Sequence, residues 1–359
     1  MALTKIRFEN FTAFRELTVE LSPGVNIFIG ENGTGKTHIL KAAYAACEVT
    51  KPDIRLFDKL MGVFRPYMRD LTRLANNGLA SAKVHVSSSI SNSELIFEIT
   101  KAHDPAEEWK WGVFVFPSKD GQGMAEWQRY PIDCIYLPVK DILADAAGFR
   151  SLYEEREVEF EEIYFDILNR AFLPPLREIE EPKLSELVTK LEEKVGGKTR
   201  VEGETFFLES TGTRKPLEFH LVAEGIRKLA LLWILIRNGS IKEKTIIFWD
   251  EPEANLNPKL YGVVVDVLLE LQRIGCQILL ATHDYVVLKE FDLQTQPDDK
   301  VVYHSLYREK KKKGDIQIAS TDSFLQIDPN AIADTFSDLF DRDVKRALSV
   351  SEPKKAGKR

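Results

Sequence analysis

The stretch VNIFIGENGTGKTHIL, residues 25–40, decides how this chain is read. Its first six residues, Val25 to Gly30, form a short apolar run of the kind that makes a buried parallel strand. GENGTGKT, Gly30 to Thr37, then matches the pattern G-x-x-x-x-G-K-[ST]. A helical pattern follows from His38 to Val49. The spacing has a physical cause. Gly30, Gly33 and Gly35 let the backbone turn tightly, so that successive N–H groups point into one concavity. The helix behind them aims its N-terminal dipole at whatever sits there, and phosphate fits best. Lys36 is placed to reach the β- and γ-phosphates and the Thr37 hydroxyl to ligate Mg²⁺. With glycine near 7% of residues, a chance match in a chain this long is roughly a 1% event. ATP and Mg²⁺ are therefore expected, held by Gly30, Glu31, Asn32, Gly33, Thr34, Gly35, Lys36, Thr37 and His38.

Two later stretches complete a chemical set. TIIFWDE, Thr245 to Glu251, reads as a buried strand ending in two carboxylates. Such a strand delivers its charge to the C-terminal edge of a parallel sheet, where ligands bind. Asp250 is expected to hold Mg²⁺ through water, and Glu251 to polarise the attacking water. CQILLATHD places His283 just past another strand end, in reach of the γ-phosphate or that water. The expected catalytic residues are Glu251, His283 and Lys36; the expected metal ligands are Thr37 and Asp250.

Composition excludes several classes. The 359 residues carry 49 Lys and Arg against 56 Asp and Glu, a net charge of −7, so a general nucleic-acid coat is excluded. DNA contact remains open only through local patches, Arg308 to Lys313 and Arg55 to Arg73. Cys47, Cys134 and Cys276 are too far apart for a disulfide framework or a zinc spacing. With no signal-peptide pattern and no 18-residue apolar run, a soluble cytoplasmic protein with no membrane partner is expected.

Along the chain, Leu3 to Phe11 and Leu17 to Leu21 suggest a strand pair, and residues 54–73 a basic helix. Three β-like runs follow, KVHVSSSI, SELIFEIT and WGVFVF; Trp109, Trp111 and Trp127, in or near this region, are expected to pack. Acidic helical segments fill Asp141 to Lys198 until the glycines at 196–197. Strands are expected at TRVEGETFFLES and PLEFHLV, and a helix at EGIRKLALLWILIRNG, ended by Gly239. Strand–helix alternation then continues to a hairpin, KVVYHSLYREKKKKGDIQIAS, whose turn carries the lysines. The fold class expected is α/β: a P-loop head, residues 1–50 and 205–345, with a mainly parallel core sheet and an antiparallel N-terminal β-subdomain. Residues 50–205 are expected as its β and helical insertion or lid, and 346–359 as a flexible basic tail.

GENGTGKT, EGIRK, WDEPEANLNP and ATHD, in that order, resemble the ABC-type ATPase head, more closely the branch containing SMC, RecF and OLD-family proteins. IRFENFTAFRELTVEL is similar to that branch's opening strand pair. The resemblance implies that Phe14 and Arg15 lie near the base. It also implies that two heads sandwich nucleotide between the P-loop of one and the signature helix of the other, making a homodimer or higher homo-oligomer. The signature resembles VAEGIRK, Val222 to Lys228. Its usual serine falls on Ala223, while Gly225, Arg227 and Lys228 keep the pattern and are expected to face the partner's nucleotide. The usual aspartate after the carboxylate pair falls on Asn257. YLPVKDIL, Tyr136 to Leu143, is similar to a segment of small stand-alone ATPases of this type, which resemble sensors of bacterial anti-phage systems. OLD-family proteins carry a Toprim nuclease. The 76 residues after His283 (359 − 283) hold no E…D-x-D cluster, so a separately encoded effector is expected to do any cutting. The rival readings are an ATP-regulated nuclease or toxin, and a transporter ATPase subunit.

Overall fold

The computed structural model describes residues 2–76, 81–90, 93–104, 107–116, 123–156, 160–210, 212, 215–309 and 314–351. Two sheets carry the architecture. The first is antiparallel and contains β1 (Leu3–Phe11), β2 (Phe14–Glu20), β4 (Ser81–Ser88), β5 (Glu94–Asp104) and β6 (Glu107–Phe116), in the order β2-β1-β4-β5-β6. In β4 every second side chain is buried, as a half-covered sheet requires. The second sheet is built from β3 (Val25–Gly30), β7 (Cys134–Leu137), β11 (Ile246–Asp250), β12 (Gln277–Ala281), β13 (Val301–Arg308) and β14 (Ile316–Thr321). Its order is β14-β13-β3-β12-β11-β7, and every pairing is parallel except that of β14.

This second sheet is covered on both faces, which is why β3, β7, β11 and β12 are buried throughout and read as continuous apolar runs. Ile27, Ile247, Trp249 and Leu280 point into one core with α7 (Glu224–Arg237) and α8 (Tyr261–Arg273). Phe28, Phe248 and Leu279 point into the other, with α1 (Lys36–Glu48) and the antiparallel sheet. Gln277 joins the two sheets. Its buried amide accepts from Leu3 N at 2.7 Å and donates to Leu3 O at 2.7 Å and Ser22 O at 2.8 Å.

The span expected as one insertion is divided by the structure. Strands β4–β6 extend the N-terminal sheet from β1, and β7 is the outer parallel strand of the core sheet beside β11. Among the described residues, the stretch from α4 (Phe149–Arg156) through α5 (Glu162–Ala171) and α6 (Pro182–Val195) to the hairpin β8 (Gly197–Glu202) and β9 (Thr205–Ser210) adds no strand to either sheet, while Ile167, Leu168 and Leu191 join the core on one face of the parallel sheet. The expected basic helix is shorter than read: α2 covers Leu56–Phe64 and ends at Arg65, whose φ is 44°, because the residue before Pro66 is driven out of the α region. PLEFHLV keeps two strand residues, Leu217–Glu218, before a 3₁₀ turn at Phe219–Leu221. Trp127 packs as expected, 2% exposed, with its indole N–H on Ala46 O at 2.7 Å. The side chains of Trp109 and Trp111, the lysines 310–313 and residues 352–359 lie outside what is described. Two helices escaped the sequence reading: α9 (Tyr285–Gln294) and α10 (Ala331–Ser351).

Candidate nucleotide site

The P-loop turns out of β3 and into α1 through three residues of positive φ: Gly30 at 143°, Gly33 at 76° and Gly35 at 90°. At Gly35 a second constraint holds. A Cβ there would stand 2.4 Å from Phe14 Cζ, so any side chain would collide with the floor of the loop. That floor corrects the expectation for Phe14. Its ring is fully buried, 5.0 Å from the Phe8 ring, and has no face open to a base. Arg15, next to it, is exposed and lies 3.7 Å from Asp315.

The expected P-loop residues divide by role. Thr34 is buried and donates to Glu31 O at 2.8 Å, pinning the loop, while Glu31, Asn32 and Gly33 are exposed. Lys36 is nearly buried and donates to Gly30 O at 2.7 Å and Glu31 O at 3.1 Å, so its ammonium lies across the loop mouth. Burial lowers its pKa against the opposing pull of Glu251, Asp250 and Glu253. The Thr37 hydroxyl stands beside Asp250 and favours its charged form, which relates the two motifs. His38 turns away from the loop mouth. Its ring packs 5.9 Å from that of Phe64, and burial pushes its pKa down to about 4.

Asp250 closes β11 at 4% exposure. Burial raises its pKa to about 6, although the nearby Thr37 hydroxyl and Tyr136, which donates at 3.4 Å, both pull the other way. The chain then turns sharply. Glu251 adopts φ 46°, and its N–H is held by Ala281 O at 2.9 Å, which lifts the side chain out of the sheet edge to about one-third exposure. His283 comes from the end of β12 with Nδ1 3.4 Å from Glu251 Oε1. Sequence reasoning missed what positions this pair. Glu253, 6% exposed, accepts from Thr282 Oγ1 at 2.7 Å and from His283 N at 3.1 Å. Its other oxygen is buried without a hydrogen-bond partner, and burial raises its pKa. Arg308 was missed too: from the end of β13 it donates to Gly33 O at 2.8 Å. Glu253 had one available signal, its place two residues past the carboxylate pair. Arg308 had none beyond its membership of a basic run.

The residue set fits Mg²⁺ and a nucleotide. An Asp250 carboxylate beside a hydroxyl is a hard oxygen donor pair of the kind Mg²⁺ takes. Thr37 and Asp250 are the residues that would hold the ion. The signature helix α7 is a correction. Gly225 is buried, with a Cβ position 2.9 Å from Leu256 Cδ1, so it serves contact with the 251–257 loop rather than a partner. Arg227 is spent on Asp141 at 2.5 Å and on the carbonyls of Phe219 and Val222, and Lys228 donates to Ala254 O at 2.5 Å. What this turn does present outward is Leu221, 65% exposed, and Ala223, which stands at the N-cap of α7 with no side-chain cap.

Comparison with known proteins agrees with this geometry. Residues 25–289 match the family described as an AAA domain, putative AbiEii toxin of type IV toxin–antitoxin systems. The chain belongs to this family. Among curated proteins, this AAA-domain chain is 30% identical over 156 residues to the DNA replication and repair protein RecF of Vibrio vulnificus, a match covering 43% of this chain and 38% of that one. It is 46% identical over 44 residues to RecF of Limosilactobacillus reuteri, 12% of either chain. The chain thus spans well under half the length of these relatives. An SMC head bound to the C-winged helix domain of ScpA shares the fold, with a TM-score of 0.51 and 13% identity, covering 89% of this chain and 98% of that one. The family, the RecF matches and this fold agree in giving the AAA-domain chain the architecture of an ABC-type, SMC/RecF-like P-loop head. Among the described residues, no helix is long and apolar enough to cross a membrane.

Proposed function

We propose that this chain binds and hydrolyses ATP as a molecular switch, with heads that assemble on nucleotide. The observation that carries the reading is that β3 and β11 flank β12 in one parallel sheet, so that the P-loop and the Asp250–Glu251 pair leave the same C-terminal edge. Glu251, lifted to the surface by its left-handed backbone, is the group able to take a proton from water. His283 stands beside it as a donor, held in place by Glu253 through its own backbone N–H. Lys36 must leave the carbonyls of Gly30 and Glu31 to meet the phosphates, so the same ammonium that closes the loop mouth would open it. Mg²⁺, held by Thr37 and Asp250, would neutralise developing charge on the phosphate oxygens.

The exposed N-terminus of α7, with Ala223 and Leu221, supports a role for this turn against a second head. An SMC head of like fold binds a separate protein, ScpA, and this supports an effector outside the head here as well. The family's description favours the second reading, a toxin that ATP regulates. DNA contact would fall to the exposed basic residues. Lys59 is not among them, since it is buried. Lys36→Ala tests the site: ATP turnover should fall roughly 10²–10³-fold while the thermal unfolding midpoint barely moves. Turnover at the wild-type rate in the variant would remove the assignment.

A further inference from the structure

Helix α10 leaves the body of the protein almost at once. Ile332 sits in the core, Asn330 caps the first turn by accepting from Ala333 N at 3.0 Å, and Phe336 stacks on Tyr285 at 4.6 Å. From Asp334 to Leu348 every side chain is exposed. A lone helix of that length is marginal in water, and its stability ordinarily comes from packing. This one carries a face that asks for packing. Phe336, Phe340, Val344 and Leu348 recur every fourth residue with Leu339 beside them, at exposures of 44%, 69%, 40%, 64% and 53%. Residues so spaced share one broad side of a helix.

The charges indicate what covers it. The first half holds Asp334, Asp338 and Asp341 and no cation; the second holds Arg342, Lys345 and Arg346 against Asp343 alone. The helix dipole rewards such an order only in the terminal turns, whereas Asp338, Asp341 and Arg342 lie in the middle. Laid parallel on a copy of itself, this helix sets like charge on like. Laid antiparallel, it sets each acidic half on a basic half around one continuous apolar face, which is the self-complementarity an isologous contact needs. We propose that α10 is a nucleotide-independent dimerisation helix, pairing antiparallel with α10 of a second copy of this chain.

The test uses the full chain without nucleotide, by size exclusion with light scattering at micromolar concentration. Wild type should run at 82 kDa (2 × 41.0). Phe340→Glu with Val344→Glu should run at half that mass with the near-UV circular dichroism of the head retained, because both positions are exposed and outside its core. Lys345→Glu with Arg346→Glu should likewise give the single-chain mass, and adding Asp334→Lys and Asp338→Lys to that pair should restore the double mass by exchanging the two halves. A wild type of single-chain mass overturns the proposal, and would leave a membrane surface or a different protein as the cover for this face. A double mass that persists in Phe340→Glu with Val344→Glu overturns it as well, since another surface then joins the copies. Failure of the fourfold charge variant to regain the double mass removes the antiparallel arrangement.

Discussion

Asp250 shows how a functional residue is held at a cost. A carboxylate at the end of a buried strand has lost most of its water, and the Tyr136 hydroxyl with that of Thr37 nearby recovers only part of it, so its pKa stands near 6 rather than 3.8. An acid whose folded pKa is raised binds protons more tightly in the folded state. Its contribution to stability is therefore fully present below pH 4 and is lost as pH rises through about 6. Asp250→Asn removes the charge and keeps an oxygen that both hydroxyls can reach. The variant should be more stable than wild type at pH 8, by up to about 3 kcal/mol, with the gain gone at pH 4. Mg-ATP should raise the melting temperature of wild type and not of the variant. Thermal melts across that pH range decide the matter, and a gain that does not change with pH would show that the carboxylate is not the strained group.

At the scale of elements, a buried charge cluster ties the P-loop helix to α2 and α5. Lys59 of α2 is 1% exposed and lies 2.6 Å from Asp166 and 2.9 Å from Glu162, both on α5, and 3.8 Å from Glu48 of α1. Tyr44 of α1 donates to Asp166 at 2.6 Å, and Lys41 reaches Glu161 at 2.5 Å. Burial alone would lower the Lys59 pKa, but Asp166, Glu162 and Glu48 outweigh it and raise the group. Lys59→Met would leave those carboxylates together without their cation, a loss on the order of 3–5 kcal/mol. Urea unfolding should show the loss largest at pH 8 and smaller at pH 5, where the stranded carboxylates take up protons. Equal losses at both values would mean that packing, not charge, is what Lys59 supplies. None of this cluster was legible in the sequence, because its members lie on three helices and no spacing relates them. The P-loop, the β11 carboxylates and His283 were legible, since each motif is local and the chemistry dictates its residue types. The membership of β4–β6 and β7 in the two sheets was not, for a strand's partner is chosen by nonlocal pairing that periodicity does not record. Arg227 and Lys228 were misread for a related reason. A basic residue at a helix start looks outward-facing until the fold shows which carbonyls and carboxylates surround it.

For the molecule as a whole, the question is whether nucleotide state changes assembly. Glu251→Gln keeps the side chain's size and its place 3.4 Å from His283, and removes its basicity. The variant should bind Mg-ATP and hold it, so that ATP drives heads together by mass action. On the proposed reading the second head meets the N-terminus of α7, and the position that probes this is Ala223 rather than Gly225. A side chain at Gly225 would strike Leu256 within its own chain, and any loss could be blamed on folding. Ala223 is exposed and holds the helix start through its carbonyl, not its side chain, so Ala223→Trp adds bulk outside the core. Light scattering should show ATP raising the mass of Glu251→Gln, and Ala223→Trp in the same chain should cancel the increase while ATP binding, followed by a fluorescent analogue, persists. The measurement is cleanest with Phe340→Glu and Val344→Glu also present, because α10 pairing would otherwise set the starting mass in the absence of ATP. If ATP binds and the mass stays constant in that background, the heads do not meet across nucleotide, and the protein is a P-loop ATPase whose output lies in movement within a single chain.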